Sequence, residues 1–283
     1  MVALSANVHV VHRGGQTGDP ALAAAASVST DLAALPPVDG FVVATPTSTH
    51  AEVIESLLPA GRPIFVEKPL CPSLDQARRL VAAARDRIFV MDKWRHHAGI
   101  EAIRSHLAAG LIGDPLHIHL VRWSIGHDYD DVGPLWILAP HDLSIILHLF
   151  GEIPPLDYAH PHLAGRPEFG FTAGLGSSTG ISALLDVGSL SADHLRRLTI
   201  TGTEGLVEMR GGYADSIVLV KAKPGTPRPE IVELPFTPNM PLLAELEAFL
   251  LFLRGKGPAP HSSARDGLAI VERLTDILHR IGG

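Results

Sequence analysis

The chain has a single cysteine in 283 residues, which excludes an internal disulfide and suits a reducing compartment, so a cytoplasmic location is expected. No apolar run approaches the roughly 18 residues of a membrane-spanning helix. No basic stretch followed by an apolar core opens the chain, so a secretory leader is not expected either. Basic residues are scattered and the net charge is −7, which argues against nucleic acid and membrane surfaces as partners. There is no His-Glu-x-x-His and no Gly-Lys-Ser phosphate loop. The chain holds 16 histidines, yet neither the His117/His119 pair nor His160-Pro161-His162 has a cysteine or carboxylate at ligand spacing, so no metal is expected.

What is present is apolar: 46% of residues are hydrophobic, enough for one large core or two smaller ones. Val38–Arg95 organises the chain. Phe41–Ala44, Pro63–Val66 and Ile88–Met91 are short apolar runs without polar alternation, the pattern of strands covered on both faces. Between them lie two helical patterns, one opening with Thr49-x-x-Glu52 and one with Ser73-x-x-Gln76, both read as capping boxes. Gly61 closes the first in a left-handed position. Strands joined by single helices run parallel, so their carboxyl ends share one edge, where open α/β sheets bind ligands. That edge gathers Thr45-Pro46-Thr47-Ser48-Thr49-His50, then Glu67-Lys68-Pro69, then Asp92-Lys93-Trp94-Arg95.

Ala44-Thr45-Pro46-x-x-x-His50 followed by Glu67-Lys68-Pro69 resembles the Gfo/Idh/MocA oxidoreductases, the glucose-fructose oxidoreductase and inositol dehydrogenase group. The resemblance continues through Trp136–Gly151 and Arg197–Gly205 and covers nearly the whole chain. It implies hydride transfer between NAD or NADP and a sugar, cyclitol or related polyol. Lys68 then lies against the reacting carbon, and His141 is the general acid/base that takes the alcohol proton. Thr45, Pro46, Thr47, His50, Glu67 and Lys68 fall at the cofactor. Two departures bear on this. The family opens with a Gly-x-Gly-x-x-Gly turn that cradles the pyrophosphate; here Gly14-Gly15-x-x-Gly18 comes after what reads as the second strand, and Gly174-x-Gly176-x-x-x-Gly180 has the wrong spacing. The family aspartate four residues before the histidine is Ile137 here. A degenerate, non-redox member serving as a ligand-binding or partner subunit therefore stands as the alternative.

Val8–Val11 reads as a strand ending at His12-Arg13. Arg13 would favour a 2′-phosphate and NADP; a solvated turn is the plain alternative. Pro20–Ala26 reads as a short helix, and Ser29–Leu32 as the cap of another. After Arg95 come a helix ending at Gly110, a strand over Leu116–Trp123 and an acidic loop, Gly126–Gly133. His141 precedes a helix that ends at Gly151. A β-rich block follows over Ile181–Leu190, His194–Thr201, Leu206–Arg210, Ile217–Ala222 and Ile231–Leu234, implying a mostly antiparallel sheet. Leu242–Leu253 and Ala264–Ile281 are helices.

The expected fold is α/β. A truncated Rossmann-type domain spans 1–94, without its first βα unit. An α+β domain with a large, mostly antiparallel open sheet spans 95–283. The resemblance places helix 264–281 back on the first domain and makes the open sheet a homo-oligomer surface. Trp94, Arg95 and Tyr129 are the substrate candidates, an arginine being suited to fork onto a carboxylate or a hydroxyl pair. Cys71 reads as a small buried filler, not a nucleophile.

Overall fold

The computed structural model describes residues 4, 6–12, 20–84, 86–125, 131–176, 180–223, 225 and 227–282. Arg13, Tyr129 and the Gly14-Gly15-x-x-Gly18 turn lie outside them. The first sheet is a parallel pair, β1 (His9–Val11) and β2 (Ser27–Ser29). The second is parallel and three-stranded, in the order β3 (Phe41–Val43), β4 (Ile64–Glu67), β5 (Ile88–Met91). Helix α1 (His50–Leu57) joins β3 to β4, and α2 (Leu74–Ala84) joins β4 to β5. The Rossmann-type α/β architecture is therefore as the sequence indicates.

Each face of this sheet buries alternate side chains. Ile64, Val66, Ile88 and Val90 pack on Ile54 of α1, Leu80 of α2 and Val271 of the last helix, α6 (Ala264–Ile281). Phe65, Phe89 and Met91 face the other way, onto Phe249 of α5 (Pro241–Leu253). The Phe65 and Phe249 rings stack with centroids 4.7 Å apart. Helix α6 begins with a reciprocal Ser263/Asp266 capping box. Gly267 lets it close on the sheet: a Cβ there would come within 2.8 Å of Val90 Cγ2 and 3.0 Å of Leu70 Cβ. Further along, Ile270, Leu274 and Ile277 join the core of the large sheet, so one helix ties the two cores together.

That large sheet has eight strands, in the order β13-β12-β11-β10-β6-β9-β8-β7. They are β6 (Pro115–Trp123), β7 (Leu156–Pro161), β8 (Gly170–Leu175), β9 (Ser182–Gly188), β10 (Leu195–Gly202), β11 (Gly205–Met209), β12 (Ser216–Lys221) and β13 (Glu230–Pro235). Every neighbouring pair is antiparallel except β6–β9. Helices α3 (Ala98–Ala108) and α4 (Pro134–Phe150) cover one face, with Ile100, Ile103, Leu138 and Leu143 packed on Ile118, Leu120, Leu185 and Ile200. The other face is open. Val121 and Trp123 are half-buried there, and Tyr158 is 44% exposed.

Several local expectations need correcting. Thr49 caps nothing: its hydroxyl donates to the Pro46 carbonyl and to Thr45 Oγ1, because a 3-10 turn over Thr47–Thr49 precedes α1. Only a 3-10 turn forms at Pro20–Leu22. Ser27–Ser29 is a strand, with Asp31 capping the next turn through Ala33 N–H. His141 lies in the middle of α4, not before it.

Replacing Phe249 by Ala deletes the only α5 side chain that is fully buried against the α/β sheet. A loss of about 3–5 kcal/mol is expected, read as a lower denaturant midpoint.

Candidate active site

Lys68 follows β4 directly, and its amine reaches across to helix α4, donating to the Ile137 carbonyl at 3.0 Å. Ile137 is one helical turn before His141, so the lysine sits at the same turn as the ring. Pro140 lies between them and brings no N–H to the helix ladder. The position where the family aspartate would stand thus offers its backbone oxygen to Lys68. Burial lowers the Lys68 pKa to about 8, against the opposing pull of the Glu67 and Asp92 carboxylates.

His141 is half-buried, and its Nδ1 is shielded from solvent with no hydrogen-bond partner among the described residues. Burial pushes its pKa well below the ordinary value, and Lys68, Arg122, Lys93 and Arg196 push the same way. The ring is therefore neutral near pH 7, the form in which a histidine accepts a proton. Trp94 meets it edge-on, with ring centroids 6.4 Å apart.

Helix α4 is fixed to the sheet at the adjacent residue. Arg122 Nε and Nη2 both donate to Asp142 Oδ1, at 2.8 and 2.6 Å, and both side chains are almost wholly buried. The Arg122 guanidinium also lies over the Trp94 ring, 4.9 Å from its centroid. Asp142 is committed to Arg122. Its partner was missed, although Arg122 stands at an inward position of an alternating strand, after Ile118 and Leu120. A charge there demands a buried counter-charge.

A second buried group lies behind the lysine. Asp92, which follows β5, is 3% exposed. Its pKa is raised to about 6, chiefly by burial, with Arg95 and a Ser144 hydrogen bond pulling it down. Glu245 of α5 is 2% exposed. Burial, then the Asp92 and Glu67 carboxylates, push its pKa up to about 9, while the Asp92 backbone N–H it accepts works the other way. Its signal in sequence is position: one helical turn before Phe249, it shares that residue's buried face.

Not every candidate faces the cleft. The Arg95 side chain is 5% exposed; its guanidinium donates to Ser144 Oγ, to the His261 carbonyl and to Asp266. It ties α4 to the start of α6 and cannot fork onto a ligand without breaking those contacts, so its expected substrate role is withdrawn. His50 is 1% exposed, with one ring nitrogen 2.9 Å from the Pro69 carbonyl and the other 2.9 Å from the Thr45 carbonyl. It braces the turns after β3 and β4 and presents no edge to a cofactor, contrary to expectation. Thr47 is buried, whereas Thr45 and Pro46 are exposed. Ser48 N–H donates to Asp131 Oδ2, joining the β3 turn to the acidic loop. Trp94 is 7% exposed and packs between His97 and His141, so it walls the site from inside.

Residues 5–90 match the sequence profile of the Gfo/Idh/MocA oxidoreductase family, NAD-binding Rossmann fold. That match covers the first third of the chain, and over those residues the chain is similar to the Gfo/Idh/MocA family. It is 26% identical over 260 residues to the 1,5-anhydro-D-fructose reductase of Ensifer adhaerens, covering 84% of this chain and 76% of that protein. It is 30% identical over 128 residues to the inositol 2-dehydrogenase of Ralstonia nicotianae, covering 43% of this chain and 38% of that one. Among solved structures, the UDP-N-acetylglucosamine 3-dehydrogenase of Acidithiobacillus ferrooxidans superposes with a TM-score of 0.72 at 24% identity, over 86% of this chain and 78% of that one. A levoglucosan dehydrogenase, solved with NADH and levoglucosan, superposes with a TM-score of 0.79 at 16% identity, over 98% and 88% of the two chains. These last two establish the shared fold. The relatives are named as reductases and dehydrogenases of sugars and cyclitols.

Glu245 takes up a proton on folding, because its folded pKa of about 9 exceeds the ordinary 4.5. Between those two values the folded state binds more protons than the unfolded one, so stability falls as pH rises through the window. Gln keeps the acceptor for Asp92 N–H and cannot ionise. Glu245→Gln should therefore match the parent chain in melting temperature near pH 4.5 and exceed it progressively toward pH 9.

Proposed function

We propose that the chain is an NAD(P)-dependent oxidoreductase acting on a CH–OH group of a sugar, cyclitol or related polyol. The observation that carries this reading is the Lys68 amine held one helical turn from a neutral, half-buried His141. His141 would accept the hydroxyl proton. Lys68 would orient that hydroxyl and polarise the carbonyl it becomes. Glu67 and Asp92 help keep the lysine charged below pH 8. A bound nicotinamide supplies the hydride acceptor. Thr45 and Pro46, exposed at the carboxyl end of β3, fit its ring end, with Glu67 and Lys68 beside them. The phosphate end is not matched in the same way, since these 283 residues contain no Gly-x-Gly-x-x-Gly. That absence, with Ile137 in place of an acid, favours the second reading, a non-redox ligand-binding or partner subunit. Arg13 would favour NADP over NAD.

The same proposal divides the chain into a cofactor unit, 1–94 with helix 264–281 returning to it, and a substrate unit, 95–283. The open face of the eight-stranded sheet is the proposed homo-oligomer surface, because its half-apolar residues need a cover. No helix among the described residues is long and apolar enough to cross a membrane. A cytoplasmic location is proposed on the lone cysteine, Cys71, which is buried.

Calorimetric titration with NADH and with NADPH tests the reading. Saturable binding of one of them is expected, and no binding at millimolar cofactor would eliminate the redox assignment. With an active substrate, Lys68→Ala should lower kcat by about 10²-fold and leave cofactor affinity nearly intact. Turnover by the parent chain should decline as pH rises through about 8, where Lys68 loses its proton.

A further inference from the structure

The cleft wall opposite Lys68 carries more positive charge than it neutralises. Arg122 and Arg196 are directly opposed on the antiparallel pair β6–β10 and face the helix side of the sheet together. Like charges in that relation repel. The Asp142 carboxylate acts on both, and its Oδ1 is taken by both hydrogen bonds from Arg122. Its Oδ2 has no partner among the described residues. Arg196 makes no ion pair among the described residues; its Nη1 donates to the Trp123 and Leu195 carbonyls. Lys93 is exposed, with no ion pair among the described residues. The four strongest charges acting on the His141 ring are Lys68, Arg122, Lys93 and Arg196, all cations. Across from Arg196, Gly212 keeps the floor low: a Cβ there would lie 3.0 Å from the Trp94 ring and 3.5 Å from Arg196 Cγ.

A half-buried arginine without a counter-ion is costly, and a ligand that supplies one is favoured by the cost it removes. We propose that the substrate of this site is an anionic sugar derivative, of the sugar-acid class, whose carboxylate lies against Arg196 and Lys93 while its reacting hydroxyl lies between Lys68 and His141. The proposal rests on the function argued above and names the substrate class for it. Arg196 forks onto the carboxylate, and Lys93 adds charge at the rim.

The test is calorimetry on the whole chain in two stages. NADH or NADPH is titrated first, which reads the oxidoreductase assignment alone. The cofactor-saturated protein is then titrated with D-glucuronate, D-galacturonate and D-gluconate, and with the matched neutral D-glucose, D-galactose and D-glucitol. At least one acid should bind about tenfold or more tighter than its neutral partner, and the difference should shrink as NaCl is raised. Arg196→Gln and Lys93→Gln, each with an unchanged far-ultraviolet spectrum and melt, should bring the acid toward the neutral sugar and leave cofactor affinity as it was. Equal binding of acids and neutral sugars, failure of all three acids to bind, or an acid preference untouched in both variants would overturn the proposal. Loss of cofactor binding in the parent chain would instead overturn the oxidoreductase assignment. The acids and sugars are then titrated into the cofactor-free chain and judged by the same criteria.

Discussion

The buried pair between Arg122 and Asp142 is the contact on which the site's geometry depends. Arg122 comes from the centre of the eight-stranded sheet and Asp142 from the middle of α4, and neither reaches water. Two charges taken out of solvent must meet in one geometry or not at all. That requirement fixes the rotation of α4 about its axis. His141 follows from it, since it is the adjacent residue, and so does the Ile137 carbonyl one turn back that receives Lys68. The same guanidinium packs on Trp94, which in turn meets His141. One ion pair therefore registers a strand of the large sheet, a helix, and the edge of the small parallel sheet against one another.

Around this frame burial sets the charge states. Desolvation lowers Lys68 and His141 and raises Asp92 and Glu245, so each group moves toward neutrality. A neutral imidazole beside a lysine that ionises near 8 can take up one proton while the lysine keeps its own.

The parallel strands were legible because Phe65, Val66, Phe89 and Val90 are apolar at successive positions, which only a sheet covered on both faces permits. The β-rich half was legible from β9 onward and less so before it. Strand β7 carries Asp157, Tyr158 and His160 on an edge half open to solvent, and β8 is rich in glycine and alanine, so neither shows a β-branched run. Lys68 and His141 were singled out through the family pattern. Arg95 and His50 were misjudged for one physical reason: position at a sheet edge does not say which way a side chain turns, and both turn inward to satisfy buried backbone and carboxylate groups. Glu245 and Arg122 hid inside apolar patterns. A charge on a buried stripe is easily passed over as a break in the stripe, when it is evidence of a partner.

The claim that the Arg122–Asp142 pair sets the site is tested most directly by a double-mutant cycle on stability. Asp142→Leu alone leaves a buried guanidinium unpaired and should cost about 3–5 kcal/mol, and Arg122→Met alone a comparable amount. The double variant should recover most of that loss, giving a coupling well above 1 kcal/mol. Additive effects, with the double variant as unstable as the sum of the two, would mean that the pair does not hold α4 in register and would contradict the account.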